Sequence, residues 1–324
     1  MRRGFTTGAN EFFYLEPVGR TVQEVAELRE KDPRAPVRVR NGAGWEGEVE
    51  AGWLRPVIKS PREIRTLRVR LEDLRYLVFM PPEDVREAIH RGRKRPLARY
   101  PKTAAYVRWG EKQGYPRRPT CAGRRWWWDV GEHHNGVIAW AMIHAERHNV
   151  HHNLCQAELD HNFFEILHSQ GSGHDLAAMC SSTFLVMMKE LFGRQYGGGS
   201  GPIKNEGVDL RDYIVLLPSI FTTSQRDRLV HAFNCLAPSE VRSIFEELGF
   251  PLCRERKCPH PEHPYEHVRP EVLTLEQVRQ ASPDRFELDR VVFDVLGLTD
   301  EERLEVYRAV AQLVKDRLVK ARSV

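Results

Sequence analysis

Val37-Arg38-Val39 alternates apolar and charged positions and runs into the turn-rich Asn41-Gly42-Ala43-Gly44, which predicts a short strand followed by a turn. Phe12-Phe13-Tyr14-Leu15, Val57-Ile58 and Leu77-Val78-Phe79-Met80 predict further strands in the first eighty residues. Ser60-Pro61-Arg62-Glu63 reads as a capping box with proline at the first helical position, so a helical turn is expected there. Helices are predicted from Pro82 to Arg91 and from Lys102 to Trp109. Trp126 to Val130, Gly136 to Ile143 and Phe163 to Leu167 read as strands of a sheet.

Beyond these, Leu176, Met179, Cys180, Thr183, Met187 and Leu191 recur at three-to-four spacing and predict one amphipathic helix, N-capped by Asp175 and stopped by Gly193. The run Gly197-Gly198-Gly199-Ser200-Gly201 has neither a Lys-Ser/Thr after it nor a strand directly before it, so it reads as a loop in preference to a phosphate cradle. Tyr213 to Leu217 predicts another strand, and Leu236 to Gly249 a helix. Capping boxes at Thr274-Leu275-Glu276-Gln277 and Thr299-Asp300-Glu301-Glu302 start two more helices. The last carries a stripe of Leu304, Tyr307, Ala311, Val314, Leu318 and Ala321, suited to closing the domain or to docking on a partner subunit. The order predicts an α+β fold with a mixed sheet and a helical C-terminal part. Its expected divisions are an α+β junction and basic region over 1–125, a sheet-and-helix core over 126–235, and helices over 236–324.

The 324 residues suffice for two compact domains, and 41% hydrophobic with 29% charged residues describes a globular chain. No apolar run approaches a membrane span and the N-terminus lacks a signal-peptide core, so a cytoplasmic protein without a membrane partner is expected. In such a compartment the six cysteines are expected as thiols. The net charge of +4 is mild, but its distribution is not. From Arg86 to Arg125 the basic residues are Arg86, Arg91, Arg93, Lys94, Arg95, Arg99, Lys102, Arg108, Lys112, Arg117, Arg118, Arg124 and Arg125, against only Glu87 and Glu111. Tyr100, Tyr106, Trp109, Tyr115 and Trp126-Trp127-Trp128 interleave with them. Guanidinium groups bind phosphate oxygens, and flat rings either stack on bases or pack the arginine stems, so the segment is read as a nucleic-acid contact.

Two further clusters offer metal chemistry. Cys253, Cys258, His260, His263 and His267 share a proline-rich loop, and Cys253, Cys258, His260 and His263 are the four assigned here to a possible structural zinc. Histidines also crowd from His133 to His174: His133, His134, His144, His148, His151, His152, His161, His168 and His174. His144 and His148 are four apart, but Ala145-Glu146-Arg147 between them is not the His-Glu-x-x-His arrangement, so solvated loop histidines, some touching phosphate, are expected. There is no Gly-rich strand-to-helix turn for S-adenosylmethionine and no Asn/Asp-Pro-Pro-aromatic motif; Pro81-Pro82 stands between Met80 and Glu83.

Met1-Arg2-Arg3-Gly4-Phe5-Thr6-Thr7-Gly8-Ala9-Asn10-Glu11-Phe12-Phe13-Tyr14 resembles the segment that joins the catalytic domain to the target-recognition half in Type IIG-like N6-adenine DNA methyltransferases. Leu54 to Ser60, Tyr106 to Thr120, Trp126 to Val130, Asp160 to Ile166, Leu176 to Arg194, Asp209-Leu210, Asp289 to Asp294 and Leu298 to Ala321 are similar, in that order, to successive patches of the same half. The resemblance implies a target-recognition fold with no catalytic domain before it: a specificity subunit for double-stranded DNA. A separate methyltransferase subunit would bind S-adenosylmethionine, this chain binding no cofactor of its own, within restriction-modification or phage defence. It also implies that Thr7 and Asn10 lie at the junction near the DNA backbone, with Arg93, Arg95, Arg117, Arg118, Arg124 and Arg125 on phosphates. A zinc-dependent enzyme acting on nucleic acid through the Cys/His segments is the alternative.

Overall fold

The computed structural model describes residues 1–93, 95–131, 134–167, 173–195, 201–211 and 213–322. Lys94, His133, His168 and the run Gly197 to Ser200 lie outside the described residues. The fold is α+β. Its first part comprises β1 (Arg2–Arg3), α1 (Asn10–Phe13), β2 (Tyr14–Pro17), α2 (Val22–Lys31), β3 (Pro36–Asn41), β4 (Glu46–Glu50), β5 (Leu54–Ile58), β6 (Tyr76–Phe79), α3 (Glu83–His90), α4 (Pro101–Lys112) and α5 (Pro119–Ala122). The centre holds β7 (Ile138–Ala141), β8 (Ile143–His144), β9 (Val150–His152), β10 (Glu158–Leu159), β11 (Phe163–Ile166), α6 (His174–Cys180), α7 (Thr183–Phe192), β12 (Arg194–Gln195) and β13 (Ile203–Lys204). Helices α8 (Thr223–Leu236), α9 (Ile244–Glu247), α10 (Leu275–Ala281), α11 (Pro283–Leu296) and α12 (Asp300–Lys320) complete it.

The strands form a six-stranded sheet ordered β10-β5-β6-β2-β3-β4, a four-stranded sheet ordered β1-β11-β7-β9, and a three-stranded sheet ordered β12-β13-β8. β10 runs parallel to β5 and the other neighbours are antiparallel, so the six-stranded sheet is mixed. The alternation in β3 does what it predicts: Val37 and Val39 are buried while Arg38 and Arg40 face outward onto Glu46 and Glu16, each at 2.7 Å. Ser60 accepts from the Arg62 N–H and opens a single 3₁₀ turn over Pro61–Glu63. The opening segment joins two sheets: β1 pairs with β11, and then the Phe5 N–H donates to Leu159 O at 3.0 Å. Gly4 is needed there because a Cβ would overlap the carbonyl oxygens of Leu159 and Asp160.

Several predicted elements take another form. Phe12 and Phe13 belong to a helical turn and not a strand, because both donate their N–H groups to Ala9 O; the strand begins at Tyr14. Trp126 to Val130 forms a turn, not a strand, and its three indoles pack toward the N-terminal core. The predicted helix from Asp175 to Gly193 is two helices. Its break at Ser181-Ser182 is imposed from far along the chain: Arg285 donates to Ser181 O at 2.6 Å, and Asp289 accepts from both the N–H and the hydroxyl of Thr183 at 2.7 and 2.6 Å. Ser182 then caps α7. Burial pushes the Asp289 carboxyl up to about 6, against the opposing charge of Arg285 and the bonds from Thr183.

Leu236 ends α8, and the stretch to Gly249 contains an extended bridge between Glu240 and Thr66 before the short α9 starts on its Ser243 capping box. Gly249 supplies the left-handed turn, at φ +87°, that stops it. Tyr213 to Leu217 forms no strand; Ile214, Val215 and Leu217 are exposed. The stripe on α12 packs within the chain, with Tyr307, Ala311 and Val314 all buried in a core shared with α6, α7, α8 and α11.

Candidate nucleic-acid interface

The opening loop and the basic segment meet in space. Gly8, at φ +76°, lies against Thr120, to which a Cβ would come within 2.5 Å. The Cys121 thiol points at Thr7 O at 3.8 Å, and Arg124 donates to Thr6 O at 2.5 Å and to Trp127 O at 3.3 Å. Arg118 pairs with Glu11 across the same contact and sits 4.7 Å over the Tyr115 ring. Burial pushes the Glu11 carboxyl up, but the hydrogen bond and charge of Arg118 outweigh it and hold it below the usual range.

Beneath this contact lies an aromatic stack. Phe12 stacks on Tyr106 with centroids 4.5 Å apart and also touches Trp127 at 4.8 Å and Tyr115 at 5.3 Å. Tyr106 stacks in turn on Trp109 at 5.7 Å. The Tyr106 hydroxyl donates to Phe12 O at 2.6 Å and accepts from the Asn41 amide at 3.0 Å. Tyr100, Tyr106, Tyr115 and Trp128 are buried, and Trp109, Trp126 and Trp127 half-buried. The rings interleaved with arginines are therefore core, packed against one another and against arginine stems. They are not a free stacking platform for bases.

That arrangement sorts the predicted phosphate ligands into two kinds. Arg93, Arg95, Arg117 and Arg125 are exposed, and among the described residues their side chains have no ion pair or hydrogen bond. Arg118 and Arg124 are instead committed to Glu11, Thr6 and Trp127, and they tie the opening loop to α5 and the Trp turn. Thr7 is buried, and its hydroxyl donates to Asn10 Oδ1 and accepts from the Ala9 N–H within the turn. Asn10 is exposed at the start of α1 and borders a pocket of about 310 Å³ lined by Tyr14, Arg40, Lys59 and Tyr76. Lys59 lies 4.2 Å over the Tyr76 ring in that pocket.

Four of the histidines are core residues, whereas His134 is exposed and His161 and His174 are half-buried. His144, His148, His151 and His152 are all buried where β8 and β9 meet α6 and α7. His148 bonds Cys180 O at 2.8 Å through Nε2 and the buried Lys189 at 3.1 Å through Nδ1; His151 bonds Thr66 O at 2.9 Å. Burial, aided by the charge of Lys189, drives His144 and His148 well below the usual imidazole range, and burial pushes His151 down to about 4. Lys189 itself is pushed down to about 8 by burial. His144, His148 and His151 are therefore neutral at pH 7 and attract no phosphate.

The proposed zinc ligands are brought together in part. Cys253, Cys258 and His263 converge, with donor atoms all within 4.8 Å of one another, and the fourth member is Glu266. His260 does not take part; its Nδ1 accepts from the Glu262 N–H at 3.1 Å on an exposed turn. The regular Cys-x₄-Cys-x₄-His-x₂-Glu spacing is the signal that points to Glu266, and a search for cysteine and histidine alone passes over it.

Residues 86–206 match the family model described as Type II methyltransferase M.Eco57I, C-terminal domain. Over that stretch the likeness to a Type IIG-like methyltransferase recognition region holds, and it takes in every exposed arginine singled out above. No curated protein sequence matches the chain. Among solved structures, the type IIG restriction endonuclease BpuSI is similar, with a TM-score of 0.49 and 12% identity over 99% of this chain. This chain spans 30% of the length of BpuSI. Among the described residues no helix is long and apolar enough to cross a membrane.

Proposed function

We propose that this chain is the DNA target-recognition (specificity) part of an N6-adenine modification system in restriction-modification or phage defence. It works with a separate methyltransferase subunit that holds S-adenosylmethionine. The single observation that supports the reading most is that the stretch matching a methyltransferase C-terminal domain also carries four exposed arginines, Arg93, Arg95, Arg117 and Arg125, that have no ion pair or hydrogen bond among the described residues. An unpaired surface guanidinium gains most from a phosphate, because no protein ion pair must be given up first. In this reading Arg93, Arg95, Arg117 and Arg125 neutralise phosphates. Arg118, Arg124 and Thr7 hold the opening loop against α5 so that Asn10 is presented at a fixed place. The partner flips the adenine and methylates it.

The test uses the full chain. Fluorescence anisotropy on a labelled duplex, across a salt series, should show binding that weakens steeply with salt. Co-purification from the native host, followed by mass spectrometry, should recover a protein with a methyltransferase domain. Methyl transfer from S-adenosylmethionine by this chain unaided would overturn the division of labour, and absence of duplex binding at low salt would overturn DNA reading itself.

A further inference from the structure

The segment between α9 and the 3₁₀ turn at Pro270–Val272 contains neither helix nor strand from Pro251 to Arg269. An irregular stretch of that length inside a compact unit needs something besides backbone hydrogen bonding to define it. Part of the fixing is visible. The Tyr265 ring packs on Phe245 with centroids 5.1 Å apart and its hydroxyl donates to Glu146 at 3.0 Å. Lys315 on α12 bonds Val268 O at 2.9 Å and pairs with Glu262 at 2.6 Å. Between these anchored positions Cys253, Cys258, His263 and Glu266 face one another.

We infer that Cys253, Cys258, His263 and Glu266 bind one zinc ion in a closed structural site. Three observations support this. The donor set of two thiols, an imidazole and a carboxylate is one that zinc takes up tetrahedrally. The four donor atoms lie within 4.8 Å of one another, whereas a tetrahedron with Zn–S near 2.3 Å has an S–S edge of about 3.8 Å. Closing that gap takes rotamer adjustment and no refolding. Finally, two atoms are left without a reason in the metal-free arrangement: His263 Nδ1 and Glu266 Oε2 are both buried with no hydrogen-bond partner, and the Glu266 side chain is only 7% exposed. Orphaned buried polar atoms cost free energy, and a cation between them removes that cost.

Glu266 Oε1 already takes a weak bond from the Cys258 thiol at 3.7 Å, and His267 Nε2 lies 3.7 Å from the same oxygen on the exposed rim. Binding converts both thiols to thiolates and releases two protons to solvent. Four protein ligands leave no open position for a substrate or an activated water, so the ion's role is to staple the loop onto α9 and α12. The assignment does not rest on DNA reading.

The experiment takes the full chain, expressed with zinc and dialysed without chelator, and measures bound metal by mass spectrometry. One zinc per chain is expected. Replacement by cobalt should give a near-ultraviolet thiolate-to-metal band and the intense visible bands of a tetrahedral ion. Cys258→Ala and Glu266→Gln should each weaken zinc retention by at least about tenfold in competition with a chromophoric chelator. His260→Ala should leave it unchanged. Cobalt spectra of the unmutated chain decide the matter even if a cysteine variant fails to fold. A chain that holds no zinc overturns the site, and so does a cobalt adduct without the thiolate band. Loss of zinc on His260→Ala with retention on Glu266→Gln overturns the ligand set. A metal-free chain that still binds duplex in a salt-dependent way leaves the DNA-reading proposal standing.

Discussion

Arg117 and Arg118 are neighbours in sequence, yet the structure assigns them opposite fates, and so a paired set of substitutions separates binding from folding. Arg117→Ala with Arg125→Ala removes two exposed guanidiniums that contact no described partner. Surface changes of that kind alter stability by within about 0.5 kcal/mol. Each phosphate neutralised contributes about 0.9 to the slope of log K against log salt, so losing two should flatten the slope by about 1.8. Between 1 M and 0.1 M salt that amounts to about a 60-fold loss of affinity, similar for every duplex sequence.

Arg118→Ala with Arg124→Ala should behave differently. The Arg118–Glu11 pair is partly exposed, with side-chain accessibilities of 42% and 34%, and contributes under about 1 kcal/mol. Removing Arg124 gives up its hydrogen bonds to the exposed Thr6 O and the part-buried Trp127 O, each a net contribution of about 0.5 to 1 kcal/mol. This pair should therefore cost about 2 kcal/mol and lower Tm by a few degrees, with any loss of DNA binding traceable to a loosened loop. Differential scanning calorimetry and anisotropy over a salt series measure both quantities. An unchanged salt slope for the first pair removes the segment from the footprint. A flattened slope with unchanged Tm for the second pair shows that those side chains are not the struts described here.

Two further outcomes follow from buried groups. Burial, with Glu158 nearby, pushes the Glu165 carboxyl up to about 7, against the charge of Arg2 and a backbone hydrogen bond from His134. The folded chain thus binds a proton that the unfolded chain releases near 4.5, and stability should fall by on the order of 3 kcal/mol as pH rises from about 4.5 to 7. Glu165→Gln should remove that share of the slope and stabilise the chain at pH 8. Glu63, also raised to about 7 by burial, keeps a slope of the same sign, and denaturation curves for the variant that parallel the original between about pH 5 and 7 would refute the assignment. At Gly110, a Cβ would come within 2.6 Å of both Phe12 and Trp127. Gly110→Ala should therefore lose about 1 to 3 kcal/mol to overpacking despite its better helix propensity, with altered tryptophan emission; a stabilised variant would mean the aromatic stack is loose.

What was legible in the sequence was local. The alternation around Val37, the helix caps at Thr274 and Thr299, and the spacing of the α12 stripe are each patterns within one element, and each element forms where its signal stands. The helix predicted from Asp175 to Gly193 failed because Arg285 and Asp289, about a hundred residues away, capture the backbone at Ser181 and Thr183. Trp126 to Val130 and Tyr213 to Leu217 have strand-like composition, but composition records only that a side chain suits a half-buried surface. The first is a turn whose rings are drawn into the core, and the second an exposed stretch. The site follows the same rule: charge density located the basic segment, whereas which arginine is free depends on Glu11, Thr6 and Trp127. A run of like charges is thus a statement about a surface's potential, and only the acceptors that each guanidinium has already met decide which of them remain for a phosphate.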